Sequence, residues 1–287
     1  MSQHDSHEAL KPLRNDSRTI DELVQCALTE PDEDRAWDAV LVCHLRPTRE
    51  VFDAATGLCV SADPKERGLG ADILGQFGCF EQQPYPFFDE TVERLVAMLS
   101  GEQDPEVLNA IGFGLSHRQD ARGVEPLSKL KCHPHEDVRH AVVMGLEGQS
   151  DPLAIQTLID LTRDEVTKVR DWATFTLGQM CDIDTPAIRD ALWRATDDSD
   201  DATRSDALVG LAQRHDERII PKLIAELRRE AVCIFLIGAA GDLGSPLLLE
   251  ALYELKGFTF DEPTHRYIDK AIANCTKPAV DMAPSTI

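Results

Sequence analysis

The stretch DVRHAVVMGLEGQSDPLAIQTLIDLTRDEVTKVRDWATFTLGQMCD, residues 137–182, contains one complete helical repeat and the first helix of the next one. When the two copies are aligned, Val138 matches Val169 and Leu146 matches Leu177, so the period is 31 residues (169 − 138) with no gap. Apolar residues within each copy recur three or four positions apart, which is the spacing of one face of an α-helix. A period of this kind predicts a stack of similar helical units, each packed on its neighbours.

Further copies of the pattern extend in both directions. TRSDALVGLAQRHD begins at Thr203 and AVCIFLIGAAGDLG at Ala231, whereas VLNAIGFGLSHRQD begins at Val107 and ERGLGADILGQFG at Glu66. Each copy forms the first helix of a repeat and is followed by a second amphipathic helix. We therefore predict an all-α fold, a right-handed α-solenoid of about seven stacked helical hairpins with a capping helix at each end.

The two ends of the chain are polar and lack helical spacing. We expect a disordered lead at residues 1–18, a single solenoid at 19–275 and a flexible tail at 276–287. The polar N-terminus does not resemble a secretory signal, and no run of about 18 apolar residues is available to span a membrane. The eight cysteines include no CxxC pair, so we expect reduced thiols in a cytoplasmic protein.

Three residue types recur at fixed places in the repeats. Small residues precede the repeated leucine of the first helices and should let neighbouring helices approach closely, namely Gly114, Gly145, Thr176 and Gly210. Aspartates follow the first helices and should cap the next helix or its turn, namely Asp151, Asp182, Asp216 and Asp242. Prolines lie early in the second helices, where a missing N–H is tolerated, namely Pro126, Pro152, Pro186, Pro221 and Pro246.

The segments VRHAVVMGLEGQSD and VRDWATFTLGQMCD resemble HEAT repeats of the short HEAT-like class first associated with phycobilisome lyases, whose pattern is roughly VRxxAAxALGxxGD. The resemblance is strong from Val107 to Asp242 and weaker on both sides. It implies the solenoid fold. It leaves the function open, because similar proteins serve as scaffolds, lyase subunits, hydroxylases and DNA-repair enzymes.

The net charge of −22 limits the classes of partner. A surface this acidic repels nucleic acid and anionic lipid and attracts basic proteins. Acidity that serves only solubility is an equally good interpretation of the composition.

One group of residues has the chemistry of metal ligands. Cys132, His133, His135 and His140 lie at a junction between repeats, in KCHPHEDVRH, and both imidazole and thiolate bind zinc. No second cluster completes the set at a diagnostic spacing, so we predict no metal, no cofactor and no catalytic residue.

Resemblance to HEAT-like enzymes leads to the same interpretation. Deoxyhypusine hydroxylases use paired His-Glu motifs, but here the helix after His135-Glu136 reads VRHA, which removes the repeated ligand set. HEAT-like DNA glycosylases need a basic groove, which this acidic chain does not suggest, so we expect Trp172 in the core and Trp193 at most as a surface anchor. Nothing identifies a pigment site for a bilin lyase subunit.

Two candidate binding surfaces remain. The insertion at residues 79–90 gathers Tyr85, Phe87 and Phe88, which either form a binding hot spot or fold back to plug the gap between repeats. If the second helices line the concave face, as they usually do in solenoids of this type, their polar positions are candidates for contact with a partner: Glu93, Arg94, Glu125, Lys129, Asp160, Arg189, Trp193, Lys222, Glu226 and Glu250.

The leading hypothesis is a non-enzymatic protein-binding scaffold or adaptor whose partner is another protein, and the acidic charge favours a basic one. One alternative is an immunity or antitoxin protein that neutralises a basic toxin or nuclease. The other is a HEAT-like enzyme or lyase subunit, metal-dependent or bilin-related.

Overall fold

A computed structural model describes residues 10–80, 85–258 and 261–277. These residues form seventeen α-helices and no β-strand. In chain order the helices are α1 (Lys11–Arg14), α2 (Ile20–Thr29), α3 (Glu33–His44), α4 (Arg49–Leu58), α5 (Pro64–Gly75), α6 (Phe88–Leu99), α7 (Pro105–Arg118), α8 (Val124–Ser128), α9 (Glu136–Gly145), α10 (Pro152–Leu161), α11 (Thr167–Gln179), α12 (Pro186–Ala195), α13 (Asp201–Gln213), α14 (Ile220–Leu227), α15 (Ile234–Leu243), α16 (Leu249–Lys256) and α17 (Glu262–Cys275).

The predicted hairpins are present. Helices α3 to α16 fall into seven consecutive pairs, each with a first and a second helix, while α2 and α17 flank them. The fold is therefore the all-α solenoid that the 31-residue period predicts. The repeated leucines lie in its core, because Leu115 is only 2% exposed and Leu146, Leu177 and Leu211 are fully buried.

The chain divides into two compact units, Met1–Thr157 and Leu158–Ile287, and the boundary falls inside α10. The first unit has its core around Phe77, Leu95 and Ile111, which are all fully buried. The core of the second unit contains Leu192 and Leu223, which are also fully buried.

Glycines bring the first helices of each unit into backbone contact. A Cβ atom built on Gly75 would lie 2.6 Å from the Cα of Gly114, which joins α5 to α7, and one built on Gly210 would lie 2.5 Å from the Cα of Gly178, which joins α13 to α11. No side chain fits at such distances, so glycine is required at both seams. Within each unit the first helices pack on one another far more extensively than the second helices do. This differs from the expectation that the second helices form the inner layer, because in a stack of hairpins the inner layer is the one whose helices lie closer together.

The arginine of the repeated Val-Arg pair binds the loop before its own helix. Arg170 donates from Nη1 to the backbone oxygens of Asp164 and Glu165, at 3.0 and 3.1 Å. It also donates from Nε and Nη2 to the carboxylate of Asp198, 28 residues later, at 2.8 and 3.0 Å. The repeated arginine therefore stabilises one repeat and connects it to the next one.

Three other arginines repeat the loop contact, always with the backbone oxygens six and five positions earlier. They are Arg67 (to Ser61 and Ala62), Arg139 (to His133 and Pro134) and Arg204 (to Asp198 and Ser199). Arg67 also pairs with Glu102 at 2.7 Å and holds the pKa of that carboxyl at about 2. These arginines are occupied by the fold and are not candidates for a binding site.

The capping predictions are half right. Asp151 accepts from the N–H of Leu153 at 2.7 Å and Asp216 from the N–H of Arg218 at 3.2 Å. In the predicted place of Asp182, however, Thr185 caps α12, accepting from Ile188 N–H. Asp242 lies inside α15, which continues to Leu243, and so caps nothing that follows.

Part of the predicted N-terminal lead is folded onto the repeats. Residues 10–18 contain α1, and Arg46 donates to the backbone oxygens of Arg18, at 2.7 Å, and Asp16. Asp16 and Arg18 form an ion pair at 2.7 Å. Residues 1–9 of the predicted lead and 278–287 of the predicted tail lie outside the described residues.

Candidate partner-binding surface

The predicted residues of the second helices are mostly paired within the chain. Their ion-pair partners include Arg122 for Glu93 (3.9 Å), Lys129 for Glu125 (2.9 Å), Asp184 for Arg189 (2.6 Å), Asp197 for Lys222 (2.5 Å), Arg229 for Glu226 (2.9 Å) and Arg228 for Glu250 (3.6 Å). Asp160 also has an interaction partner within the chain. Arg94 lines a groove between α4 and α6. Several of these pairs connect a second helix with the next second helix or with the turn beside it. Side-chain ion pairs therefore link the second helices, whereas backbone contacts at glycines link the first helices.

Of the two tryptophans of the second unit, Trp172 lies differently from the prediction. Trp193 is packed between cations, with Arg218 5.3 Å and Lys222 4.6 Å from the ring centroid. Trp172, predicted to be core, is 36% exposed on α11. The indole of Trp193 therefore already has cationic neighbours, whereas part of the Trp172 ring faces solvent.

The aromatic insertion folds back onto the first unit. Phe87 stacks on Phe52 with a centroid distance of 4.8 Å and lies 6.0 Å from Phe77. The guanidinium group of Arg49 also lies over the Phe87 ring, 4.3 Å from its centroid. Tyr85 lies 5.5 Å from the guanidinium of Arg118 and, like Phe87 and Phe88, is half-buried. This packing is that of a plug. Residues 81–84 of the insertion lie outside the described residues.

The Cys132–His140 group does not converge on one point. Cys132 and His135 are exposed, whereas His140 is buried on α9 with its ring 5.9 Å from that of Phe113. His133 uses Nδ1 to accept from the N–H of His135 at 3.1 Å. Across the described ranges, no three His, Cys, Asp or Glu side chains are placed to hold a metal ion.

A pocket on the first helices brings carboxylates next to an exposed aromatic ring. It lies on α3, α5 and α7, has a volume of about 330 Å³, and is lined by Trp37, Asp72, Gln76, Glu106, Asn109, Phe113 and His117, among others. Trp37 is 44% exposed, the largest aromatic surface in this pocket. Glu106 lies at the exposed start of α7. The pocket thus combines an aromatic wall with two carboxylates.

Asp72 is the half-buried acid of this pocket. Burial raises its pKa from 3.8 to about 6, and among the described residues no donor or cation contacts its carboxylate. Its backbone oxygen lies 3.0 Å from Nε2 of His44, a fully buried side chain that also holds Trp37 edge to face, with ring centroids 6.3 Å apart. The buried His44 therefore holds both Asp72 and Trp37 in place. Among the described residues, the Asp72 carboxylate has no counter-ion.

No nearby histidine neutralises the pocket at neutral pH. Burial lowers the pKa of His44 to about 4, and burial together with the charge of Arg118 lowers the pKa of His117. Arg118 itself is buried and donates from Nη2 to the backbone oxygens of Leu74 and Phe77, at 2.6 and 2.9 Å. At pH 7 the two carboxylates therefore dominate the charge of the pocket.

The second unit carries a comparable half-buried acid on its own first helices. Burial, followed by the charge of Asp171, raises the pKa of Asp206 to about 6. Unlike Asp72, Asp206 has a donor, because Nε2 of Gln179 donates to it at 2.8 Å. Of these two acids, Asp72 is the one whose carboxylate accepts from no described donor.

Sequence reasoning missed the Trp37–Asp72 pocket, although one signal was present. Asp72 interrupts the apolar face of GLGADILGQFG, and a charged residue in an otherwise core-facing position is informative. The residues that line the pocket with Asp72 come from helices about 35 residues away on either side, which no local pattern brings together.

Comparison with known proteins places this architecture in a family. The family model for HEAT repeats matches residues 92–178. Protein YibA of Escherichia coli strain K12 is 34% identical over 218 residues, which are 74% of this chain and 76% of YibA. The chain belongs to the YibA family. The X-ray structure of Escherichia coli YibA covers 94% of this chain and 97% of its own, with a TM-score of 0.72 and 23% identity.

Two other solved structures share the fold with this YibA relative. An engineered protein covers 90% of the chain and 78% of its own at a TM-score of 0.58 and 18% identity. The Schizosaccharomyces pombe condensin Cnd3–Cnd2 subcomplex covers 97% of the chain and 47% of its own at a TM-score of 0.56 and 12% identity. These likenesses concern the fold alone, and with the family match they confirm the HEAT-like resemblance.

Within the described ranges, no helix is both long enough and apolar enough to cross a membrane.

Proposed function

We propose that this YibA relative is a non-enzymatic scaffold that binds a basic protein through the solvent face of its first helices. The observation that carries the proposal is the unpaired, half-buried Asp72 beside an exposed Trp37. Burying a carboxylate without a partner is unfavourable, so a cationic group from another molecule would remove an existing penalty.

The distribution of charge supports the same face. Charges on the second helices are largely paired inside the chain, whereas Asp72 and Glu106 form no ion pair with any described residue. The net charge of −22 adds a long-range attraction for a basic partner and raises its association rate.

The test compares two charge-matched variants of the full chain. Asp72→Asn, Glu106→Gln and Asp206→Asn together remove three negative charges from the first helices, and Glu93→Gln, Glu125→Gln and Glu250→Gln remove three from the second helices. Partners are captured from native lysate at low and high salt, identified, purified and titrated. We expect the first-helix variant to weaken binding at least tenfold and the second-helix variant to remain within threefold. Equal loss in both variants, or binding that is insensitive to salt, would contradict the proposal.

An immunity-type function is the second candidate, because it combines an acidic surface with a basic toxin or nuclease. Half-buried carboxylates such as Asp72 and Asp206 present negative charge in a fixed geometry, as a nucleic acid backbone does. If the captured partner degrades nucleic acid, adding the chain at one equivalent should abolish that activity. A partner whose activity is unchanged in the complex would leave the scaffold function and remove this one.

A further inference from the structure

The pocket between Trp37, Asp72 and Glu106 is too small for a helix or a loop. Its volume of about 330 Å³ lies at the lower end of the roughly 300–1,000 Å³ that small-ligand pockets occupy. Such a space accommodates one extended side chain. The occupant therefore enters as a single group, whatever surrounds it.

The lining of the pocket selects a cation. The Asp72 carboxylate accepts from no described donor, and Glu106 adds a second negative charge at the rim. Arg118, a buried cation of the same unit, donates from Nη2 to the backbone oxygens of Leu74 and Phe77 and does not contact Asp72. Among the described residues, an incoming cation therefore competes with no internal one for this carboxylate.

Trp37 distinguishes between the two basic side chains. Its indole is held against His44 and remains 44% exposed, so it presents a rigid aromatic surface beside the acid. A guanidinium group can stack on an aromatic ring and direct planar N–H donors at a carboxylate at the same time, which the compact ammonium of lysine cannot do.

We infer that this pocket takes the guanidinium group of one arginine side chain of a protein partner, stacked on Trp37 and hydrogen-bonded to Asp72. The inference rests on the proposed function, whose basic partner would supply the arginine. Asn109 and Gln76 line the same pocket and offer amide groups to the part of the side chain that approaches the rim.

The test uses Trp37 as a reporter. The chain has three tryptophans, so Trp172→Phe and Trp193→Phe leave Trp37 as the only source of indole fluorescence. This protein is titrated with N-acetyl-arginine amide, with its neutral isostere N-acetyl-citrulline amide, and with N-acetyl-lysine amide. We expect a saturable change with the arginine compound and at least tenfold weaker binding of the other two.

A matched pair of variants separates the pocket from general acidity. Asp72→Asn should weaken the arginine compound at least tenfold. Asp53→Asn removes the same charge from the exposed surface of α4 in the same unit and should change binding by less than twofold. Equal binding of the arginine and citrulline compounds, tighter binding of the lysine compound, or an unchanged affinity in Asp72→Asn would overturn the inference.

The outcome also separates this inference from the proposed function. If a basic partner binds the first helices but Asp72→Asn leaves its affinity unchanged, the pocket assignment fails and the scaffold function stands. If the arginine compound binds as described but no basic protein partner is captured, the pocket stands and the proposed function fails.

Discussion

Replacing Gly210 by alanine should push two first helices of the second unit apart. The new Cβ would lie 2.5 Å from the Cα of Gly178, whereas ordinary contacts begin at 3.4 Å, so the backbones of α11 and α13 must separate locally by about 0.9 Å (3.4 − 2.5). The obstacle is backbone, which cannot rotate away as a side-chain end can. Overpacking of this kind costs about 1–3 kcal/mol.

The effect on helix propensity has the opposite sign and must be removed by a control. Glycine to alanine inside a helix gains about 1 kcal/mol. Gly238 lies in α15 of the same unit, and a Cβ there would meet nothing within 4 Å. Gly238→Ala should therefore stabilise by about 1 kcal/mol, and Gly210→Ala should be less stable than this control by about 1–3 kcal/mol.

The assay is urea unfolding followed by circular dichroism, with both variants and the parent chain under identical conditions. Gly178→Ala provides a graded third point, because its Cβ would lie 3.2 Å from the backbone oxygen of Asp206 and 3.3 Å from the Cα of Gly210, a milder overlap. The expected order of stability is Gly238→Ala, then Gly178→Ala, then Gly210→Ala. If Gly210→Ala is as stable as Gly238→Ala, the first helices are not in backbone contact and the packing argument is refuted.

Three further predictions address charge. A pKa of Asp72 raised from 3.8 to about 6 means that the folded state binds the proton more tightly than the unfolded state, a stabilisation present below pH 3.8 and lost as the pH rises through 6. Asp72→Asn should therefore exceed the parent by up to about 3 kcal/mol at pH 7.5 and match it near pH 3.5 in urea titrations; a constant difference would contradict this. Arg170→Lys should destabilise by about 1.5–3 kcal/mol, because lysine cannot bind the loop oxygens and Asp198 together; unchanged thermal unfolding would refute the structural role of this arginine. Asp197→Ala breaks the pair with Lys222 from the side of an acid that is 75% exposed, so it should cost less than about 1 kcal/mol and leave partner affinity within twofold.

The sequence was sufficient for the repeats and insufficient for the binding surface, for physical reasons. A fold built from similar units repeats its core positions, so Leu146 and Leu177 reveal the period and the helices. The requirement for close approach is also local, since Gly114 and Gly210 appear in the pattern. Which layer is the inner one depends on the distance between helices of neighbouring repeats. The sequence of a single repeat does not determine that distance.

Pairing of surface charges was invisible for a related reason. Lys222 and Glu226 look like free, solvent-facing charges in the sequence, but Lys222 pairs with Asp197, after the preceding second helix, and Glu226 pairs with Arg204 of the first helix of its own repeat. Conversely, Asp72 looked like one acid among many, and its half-buried carboxylate accepts from no donor among the described residues. Only the stacking of repeats decides which charges are satisfied.

The glycine seams give each unit an unequal resistance to bending. Along the first helices, backbones already touch at Gly75–Gly114 and Gly178–Gly210, so compressing that layer meets hard-core repulsion from the first fraction of an ångström. Along the second helices, exposed ion pairs such as Arg228–Glu254 can lengthen, exchange or break at little cost. Each unit should therefore resist bending that compresses its first helices and yield more easily to bending that separates them. A partner bound against the first helices would bend the unit only by moving those helices apart.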